Sequence, residues 1–253
     1  MTVFKAQQLK KSYHQRLVVK GVDISVESGE IIGLLGRNGA GKTTSFLMMV
    51  GLIKPDSGRI FLDSTDISRY STPRRAEAGI VYLPQENSVF LKTSVENNLK
   101  LVLELQPMKR SRRKAVAHQL LSDLGLLALA KQGAYSLSGG ERRRLEICRA
   151  LVLNPKFLLL DEPFTGIDPL TIVELQKILL RLKEHGIGII ISDHNVRDTL
   201  VITDKATIID NGEILAEGTP KEIAADETAR VNFLGKDFKL DAEVVRQSSL
   251  AKR

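Results

Sequence analysis

The 253-residue chain has a single cysteine, Cys148, so it can form no internal disulfide, and no Cys–His cluster has the spacing of a metal site. No apolar run approaches the roughly 18 residues that cross a membrane as a helix. The N-terminus lacks the charged-then-apolar pattern of a secretion signal, so a cytoplasmic chain is expected. Internal repeats and low-complexity linkers are missing, which argues against solenoids and tethered modules. Glycine-interleaved aromatics and a helix-turn-helix pattern are missing too, so a net charge of +7 does not by itself point to nucleic acid. The concentrated basic run Lys109-Arg110-Ser111-Arg112-Arg113-Lys114 reads as a solvated helix start. A basic face near an anionic bilayer is the other reading of such charges.

A 43% hydrophobic content at this length is enough for a sizeable core in one large domain or a domain with a lobe. Strand-like runs alternate with helical patterns from residue 30 to 212, as in a βαβ series with a parallel sheet. Residues 95–153 carry helical periodicity without strong strands, notably over 95–105 and 112–124, and are expected to form a helical lobe. The segments 2–27 and 57–62 read as antiparallel strands beside the main sheet.

Gly36-Arg37-Asn38-Gly39-Ala40-Gly41-Lys42-Thr43 satisfies G-x-x-x-x-G-K-[ST] at every fixed position, directly after the apolar run 30–35. Such a loop turns successive N–H groups toward one anion, and the helix that follows adds the positive end of its dipole. Lys42 is placed to reach the β- and γ-phosphates, Thr43 to offer a hydroxyl to Mg²⁺, and Thr44 to complete the cradle. A second apolar strand, 157–160, ends in Asp161-Glu162 at the carboxyl edge of the sheet, where ligands of open α/β sheets bind. Neighbours on a strand face opposite ways, so the two carboxylates divide the work. Asp161 is expected to hold Mg²⁺, and Glu162 to polarise the water that attacks the γ-phosphate. A third strand, 187–192, presents Asp193-His194, with His194 either an ordinary loop residue or a γ-phosphate contact. Gln85 follows the run 79–83 and Pro84, within reach of both metal and water. Ser138-Gly139-Gly140-Glu141 opens another helix, whose N-terminus is a further anion site.

Together these residues resemble the nucleotide-binding subunits of the ATP-binding-cassette superfamily over essentially the whole chain. The resemblance implies an α/β P-loop NTPase with a parallel-sheet core, an antiparallel β subdomain and a helical signature subdomain. It sets residues 1–235 as the cassette, with the helical lobe at about 90–155, and 236–253 as a C-terminal tail. Tyr13 is similar to the aromatic that stacks on adenine, residues 36–43 to Walker A, and Gln85 to the Q-loop glutamine. Asp161 and Glu162 resemble the Walker B pair, Asp168 the D-loop aspartate and His194 the switch histidine. Catalysis would then fall to Glu162, His194, Gln85 and Lys42, with Thr43, Gln85 and Asp161 on Mg²⁺. In such cassettes Ser138, Gly139, Gly140 and Glu141 contact the γ-phosphate held by the other subunit, which implies a homodimer enclosing two ATP molecules.

A narrower likeness lies in residues 138–144, 193–197 and Phe233-Leu234-Gly235-Lys236-Asp237-Phe238-Lys239-Leu240. It is to the ATPases of lipopolysaccharide export systems. The first two stretches equally suit branched-chain amino-acid importer ATPases; the tail tips the choice. Cys148 and Thr165 stand where that likeness leads one to expect alanine, neither expected to touch the ATP chemistry, and residues 241–253 run past the usual end. Cys148 reads as a small packed hydrophobe. Phe90 either covers the core or faces outward; the resemblance implies an anchor for a helix of one of two inner-membrane permease subunits, with the chain peripheral on that membrane.

Overall fold

The structure is a computed structural model and describes residues 1–235, 238 and 240. Expectations for Lys236, Asp237, Lys239 and residues 241–253 lie outside the described residues. Two sheets organise the chain. The long strands β1 (Val3–Tyr13) and β2 (Arg16–Glu27) form a hairpin whose turn holds His14 and Gln15 at φ 44° and 66°. Together with β4 (Ser57–Leu62) and β5 (Thr65–Asp66) they make a four-stranded antiparallel sheet ordered β2-β1-β4-β5. Alternating burial along β2, with Val22, Ile24 and Val26 inward, is the period-two pattern of a half-covered sheet.

The second sheet runs β10-β9-β3-β8-β7-β6. Its strands β3 (Ile31–Leu35), β6 (Ile80–Leu83), β7 (Phe157–Asp161), β8 (Gly188–Asp193) and β9 (Lys205–Asp210) are parallel; β10 (Glu213–Gly218) is an antiparallel edge. Strands β3, β7 and β8 are buried at every position, as continuous Ile/Leu runs covered on both faces must be. Helices α1 (Lys42–Val50), α2 (Thr72–Glu77), α6 (Pro169–Glu184) and α7 (Val196–Leu200) connect these strands.

Between β6 and β7 the chain leaves the sheet as α3 (Val95–Leu103), α4 (Arg110–Asp123) and α5 (Gly139–Leu151). Val95, Leu99, Leu103, Leu121, Leu145 and Cys148 join these helices to the core that also holds Leu158, Leu160 and Ile189. The Cys148 thiol is fully buried, and burial pushes its pKa well up, as suits a packed hydrophobe. After β10, α8 (Pro220–Ala225), the one-turn α9 (Glu227–Ala229) and a π-turn (Arg230–Leu234) bring Phe233, Leu234, Phe238 and Leu240 against Leu200, Ala206 and Ile208.

Candidate functional site

The carboxyl ends of β3, β7 and β8 lie side by side, with Leu35 paired to Asp193 and Asp161 to Ser192, so the motifs at their tips converge. The phosphate loop leaves β3 and enters α1 through Gly41, whose φ of 108° is a left-handed conformation open to glycine. No side chain caps this helix, so its first N–H groups stay free for a ligand. Lys42 is 5% exposed and donates to the loop's own carbonyls, Gly36 O at 2.7 Å and Arg37 O at 3.2 Å. Burial lowers its pKa, opposed by the charges of Glu162, Asp161 and Asp193. Arg37 turns its guanidinium away from the loop mouth, to Asn232 O at 2.7 Å.

Asp161 is 1% exposed and held on several sides. Its carboxylate accepts from Thr43 Oγ1 at 3.4 Å, from Tyr82 OH at 3.1 Å and from the Ser192 hydroxyl. Burial, reinforced by the Asp161 charge, drives the Tyr82 phenol well above its ordinary pKa, so it remains a donor. Glu162 sits at φ 45°, a conformation a non-glycine residue adopts rarely, with its N–H bonded to Ser192 O at 2.7 Å. That bend turns its carboxylate away from Asp161 into the cleft. Glu162 Oε2 accepts from Gln85 Nε2 at 2.9 Å and Thr165 Oγ1 at 3.1 Å, and His194 Nδ1 lies 3.4 Å away. Thr165 therefore does touch the carboxylate read as the base, contrary to the expectation that it stands apart from the chemistry. Burial raises the Asp193 pKa, partly offset by N–H bonds from Asn195 and Phe164 and by His194.

One cleft is lined by Asn38, Gly39, Gly41, Lys42, Thr43, Thr44, Gln85 and Glu162, with Val18 of β2 at its rim. Val18 escaped sequence reading because a valine in a strand carries no chemical signal. Tyr13, at the end of β1, is 40% exposed and does not line this cleft; Lys11 Nζ lies 5.7 Å from its ring centroid. Nor do Ser138, Gly139, Gly140 or Glu141 line it. They open α5 through a capping box: Ser138 Oγ accepts the Glu141 N–H at 3.3 Å, and Glu141 accepts the Ser138 N–H at 2.8 Å. A side chain at Gly140 would put its first carbon 2.0 Å from Thr171 on α6, so the close approach of α5 and α6 requires glycine. Asp168 caps α6 through the Thr171 N–H at 3.0 Å, which holds its carboxyl below the usual range.

The basic triplet 142–144, whose charges suit inter-lobe contacts or acidic groups on a permease, supplies the fastening between the cleft and the helical lobe, through partners that the sequence did not mark. Arg143 and Glu146 form a buried ion pair at 2.8 Å, and Arg143 also donates to Pro84 O and Asp161 O at 3.0 and 3.1 Å. Glu146 accepts from Ser88 N at 2.6 Å; Arg149 donates to Ser88 O and places its guanidinium 4.6 Å from the Phe90 ring centroid. Asn98 on α3 binds both the N–H and the carbonyl of Phe90. The segment after Gln85 is thus tied to α5 and α3, while the Phe90 ring stays 48% exposed and Leu91 41%. A second hollow brings His194, Asn195 and Arg197 beside Phe233 and Phe238, with Arg197 5.8 Å from the Phe238 ring centroid.

An uncapped phosphate loop, a carboxylate pair of divided orientation and a separate self-capped glycine turn, all on this two-sheet scaffold with a helical insertion, define an ATP-binding cassette. The chain belongs to the ABC transporter family, whose signature matches residues 19–165, and it is an ATPase of that family. It is similar to the lipopolysaccharide export system ATP-binding protein LptB of Acidithiobacillus ferridurans, at 50% identity over 94% of this chain and 99% of that one. The LptB protein of Escherichia coli strain K12 is 46% identical over 95% of this chain and 100% of its own length. Among solved structures, the ADP conformation of an ATP-binding cassette of an ABC transporter superposes with a TM-score of 0.83, at 28% identity, covering 93% of this chain and 99% of that one.

Proposed function

We propose that this chain is the ATP-hydrolysing subunit of a lipopolysaccharide exporter, powering extraction of lipopolysaccharide from the inner membrane toward the outer membrane. The observation that carries the cargo is identity of 46–50% along nearly the full length of two proteins named for that export system. The convergence of Lys42, Thr43, Asp161, Glu162, Gln85 and His194 supports the chemistry. Asp161, Thr43 and Gln85 form an all-oxygen donor set suited to Mg²⁺, and the buried Asp161 carboxylate, already held by neutral hydroxyl donors, suits a cation. The bound cation would neutralise charge on the β- and γ-phosphates. Glu162 takes the proton of the attacking water, Lys42 holds the phosphates, and His194 and Gln85 orient water and γ-phosphate around it. In this reading 1–235 is the cassette and 236–253 its tail.

Cassettes of this family work as dimers with membrane permease partners. Ser138–Glu141 stand outside the phosphate cleft, with Gly139 in an adjoining hollow that shares Gln85 and Glu162, and a head-to-tail pair would place each Ser138–Glu141 over the partner's nucleotide. Phe90, half-exposed on a segment anchored by Asn98, Glu146 and Arg149, is the surface we assign to the permease helix, on the cytoplasmic face of the inner membrane. A pull-down of tagged Glu162→Gln protein from detergent-solubilised membranes with ATP and Mg²⁺ tests the assignment. Co-purifying lipopolysaccharide-export permeases support it; amino-acid importer permeases would transfer the chain to the rival class. Phe90→Ala should leave ATP turnover of the isolated subunit near normal while abolishing that co-purification, and a fall in thermal stability instead would make Phe90 a packing residue.

A further inference from the structure

The end of α3 and the start of α4 form a patch that the nucleotide chemistry does not use. Leu101 is 47% exposed and Leu105 81% exposed, and five cations, Lys109, Arg110, Arg112, Arg113 and Lys114, follow within nine residues. Over 104–114 these five face one carboxylate, Glu104, a net of +4 out of the chain's +7. The first turn of α4 contains no acidic residue, and Lys109 at its N-cap makes no side-chain cap bond. Cations at a helix N-terminus oppose the macrodipole, so the free protein gains nothing from this placement. Among the described residues none of the five forms an ion pair. Arg113 donates to Gln106 O at 3.1 Å, which folds the basic turn back beside Leu105. The apolar tip and the basic turn are therefore joined at Arg113, while Lys114 lines a neighbouring hollow with Glu96 and Lys131.

We infer that this tip is a contact for an anionic phospholipid surface, with Leu105 and Leu101 entering the headgroup layer and the five cations meeting lipid phosphates. The complementarity is that of interfacial segments, in which a few exposed apolar side chains act with a polybasic cluster. The same helix α3 that carries Leu101 in its last turn holds Phe90 through Asn98, three residues earlier and about 4.5 Å along the axis at 1.5 Å per residue. Lipid contact would thus brace the helical lobe next to the surface assigned to the permease. The inference does not depend on the cargo, and it is tested without the permease.

The experiment is co-sedimentation of the full chain with extruded vesicles of phosphatidylglycerol and phosphatidylcholine, against vesicles of phosphatidylcholine alone. Binding to the anionic vesicles that is lost in 0.5 M salt is expected on the order given by screening. Lys109→Gln, Arg110→Gln and Arg112→Gln together should lower the partition coefficient roughly a hundred-fold, at about five-fold per cation near a lipid surface. Leu105→Asp should lower it further, with ATP turnover unchanged in both variants. Equal sedimentation with both vesicle types, or an unaltered partition of the triple variant, overturns the inference. So does wild-type protein that ignores the vesicles but binds a single-stranded oligonucleotide through the same cations. Either failure leaves the permease assignment standing, because the pull-down tests that separately.

Discussion

Two helix N-termini in this chain, which the proposed function assigns to the same phosphate chemistry, are finished differently. Helix α1 begins at Gly41 with no side-chain cap, its lysine folded onto the loop's own carbonyls. Helix α5 begins at Ser138 with both halves of a capping box in place. The first end has unsatisfied N–H donors and a buried cation, so ligand supplies what the free protein lacks. The second has its Ser138 and Glu141 N–H groups already bonded, leaves only the glycine N–H groups between them, and carries the Glu141 carboxylate, so alone it should hold an anion poorly. This difference fits a site assembled in sequence, with nucleotide held first by one loop and the signature turn engaging only when a partner chain delivers it.

The largest effect is expected at the open end. Lys42→Ala should weaken ATP binding by at least about 2 kcal/mol, roughly 30-fold, and abolish turnover, because the ammonium contributes charge-assisted hydrogen bonds in a buried setting. Equilibrium binding of a fluorescent ATP analogue reads this directly. Binding within two-fold of wild type would mean that the loop N–H groups alone hold the nucleotide. Beside the closed end, Arg143→Ala removes one member of a buried pair and orphans Glu146, Pro84 O and Asp161 O. About 3–5 kcal/mol of folding stability should be lost, read by chemical denaturation. A loss under 1 kcal/mol would show that water replaces the guanidinium and that the cleft is not fastened to the lobe through it.

Ser138→Ala separates the two ends more finely. Its cap contribution is about 1 kcal/mol of stability. Binding of ATP to the monomer should stay unchanged, since Ser138 does not line the phosphate cleft, while ATP-driven dimerisation and turnover fall. Weakened monomer binding in a titration would place the signature turn in its own chain's site and remove the sequential assembly.

Much of this comparison was legible beforehand, for physical reasons. Phosphate loops need fixed glycine and lysine positions, and buried parallel strands need unbroken Ile/Leu runs, so β3, β7, β8 and the residues at their ends stand out in one dimension. The strand boundaries differ from the sequence reading by one residue at most at β3, β7 and β8, and α4 begins two residues earlier than expected. What sequence concealed is what depends on side-chain direction. Arg143 and Arg144 are adjacent arginines in a basic triplet, yet one is buried against Glu146 and the other reaches Glu174 on α6. Thr165 looked like a neutral variation, and its hydroxyl turns out to share the Glu162 oxygen with Gln85. Val18 and Asn98 act through placement alone, which no residue pattern encodes.

The smallest expected effect bears most directly on the two ends. Glu141→Gln preserves the capping box, because glutamine also accepts the Ser138 N–H, so stability should change by no more than a few tenths of a kcal/mol. The substitution does remove a negative charge from the turn that would face a partner's γ-phosphate. If the signature end meets nucleotide only on dimerisation, removing that repulsion should lower the ATP concentration for half-maximal dimerisation a few-fold, with monomer affinity unaltered. Light scattering across an ATP titration separates the outcomes. An unmoved midpoint would mean that Glu141 points away from the phosphate in the closed dimer and serves α5 alone. A midpoint and a monomer affinity that move together would mean that its field reaches the cleft within one chain, and the contrast between an open and a closed helix end would lose its functional meaning.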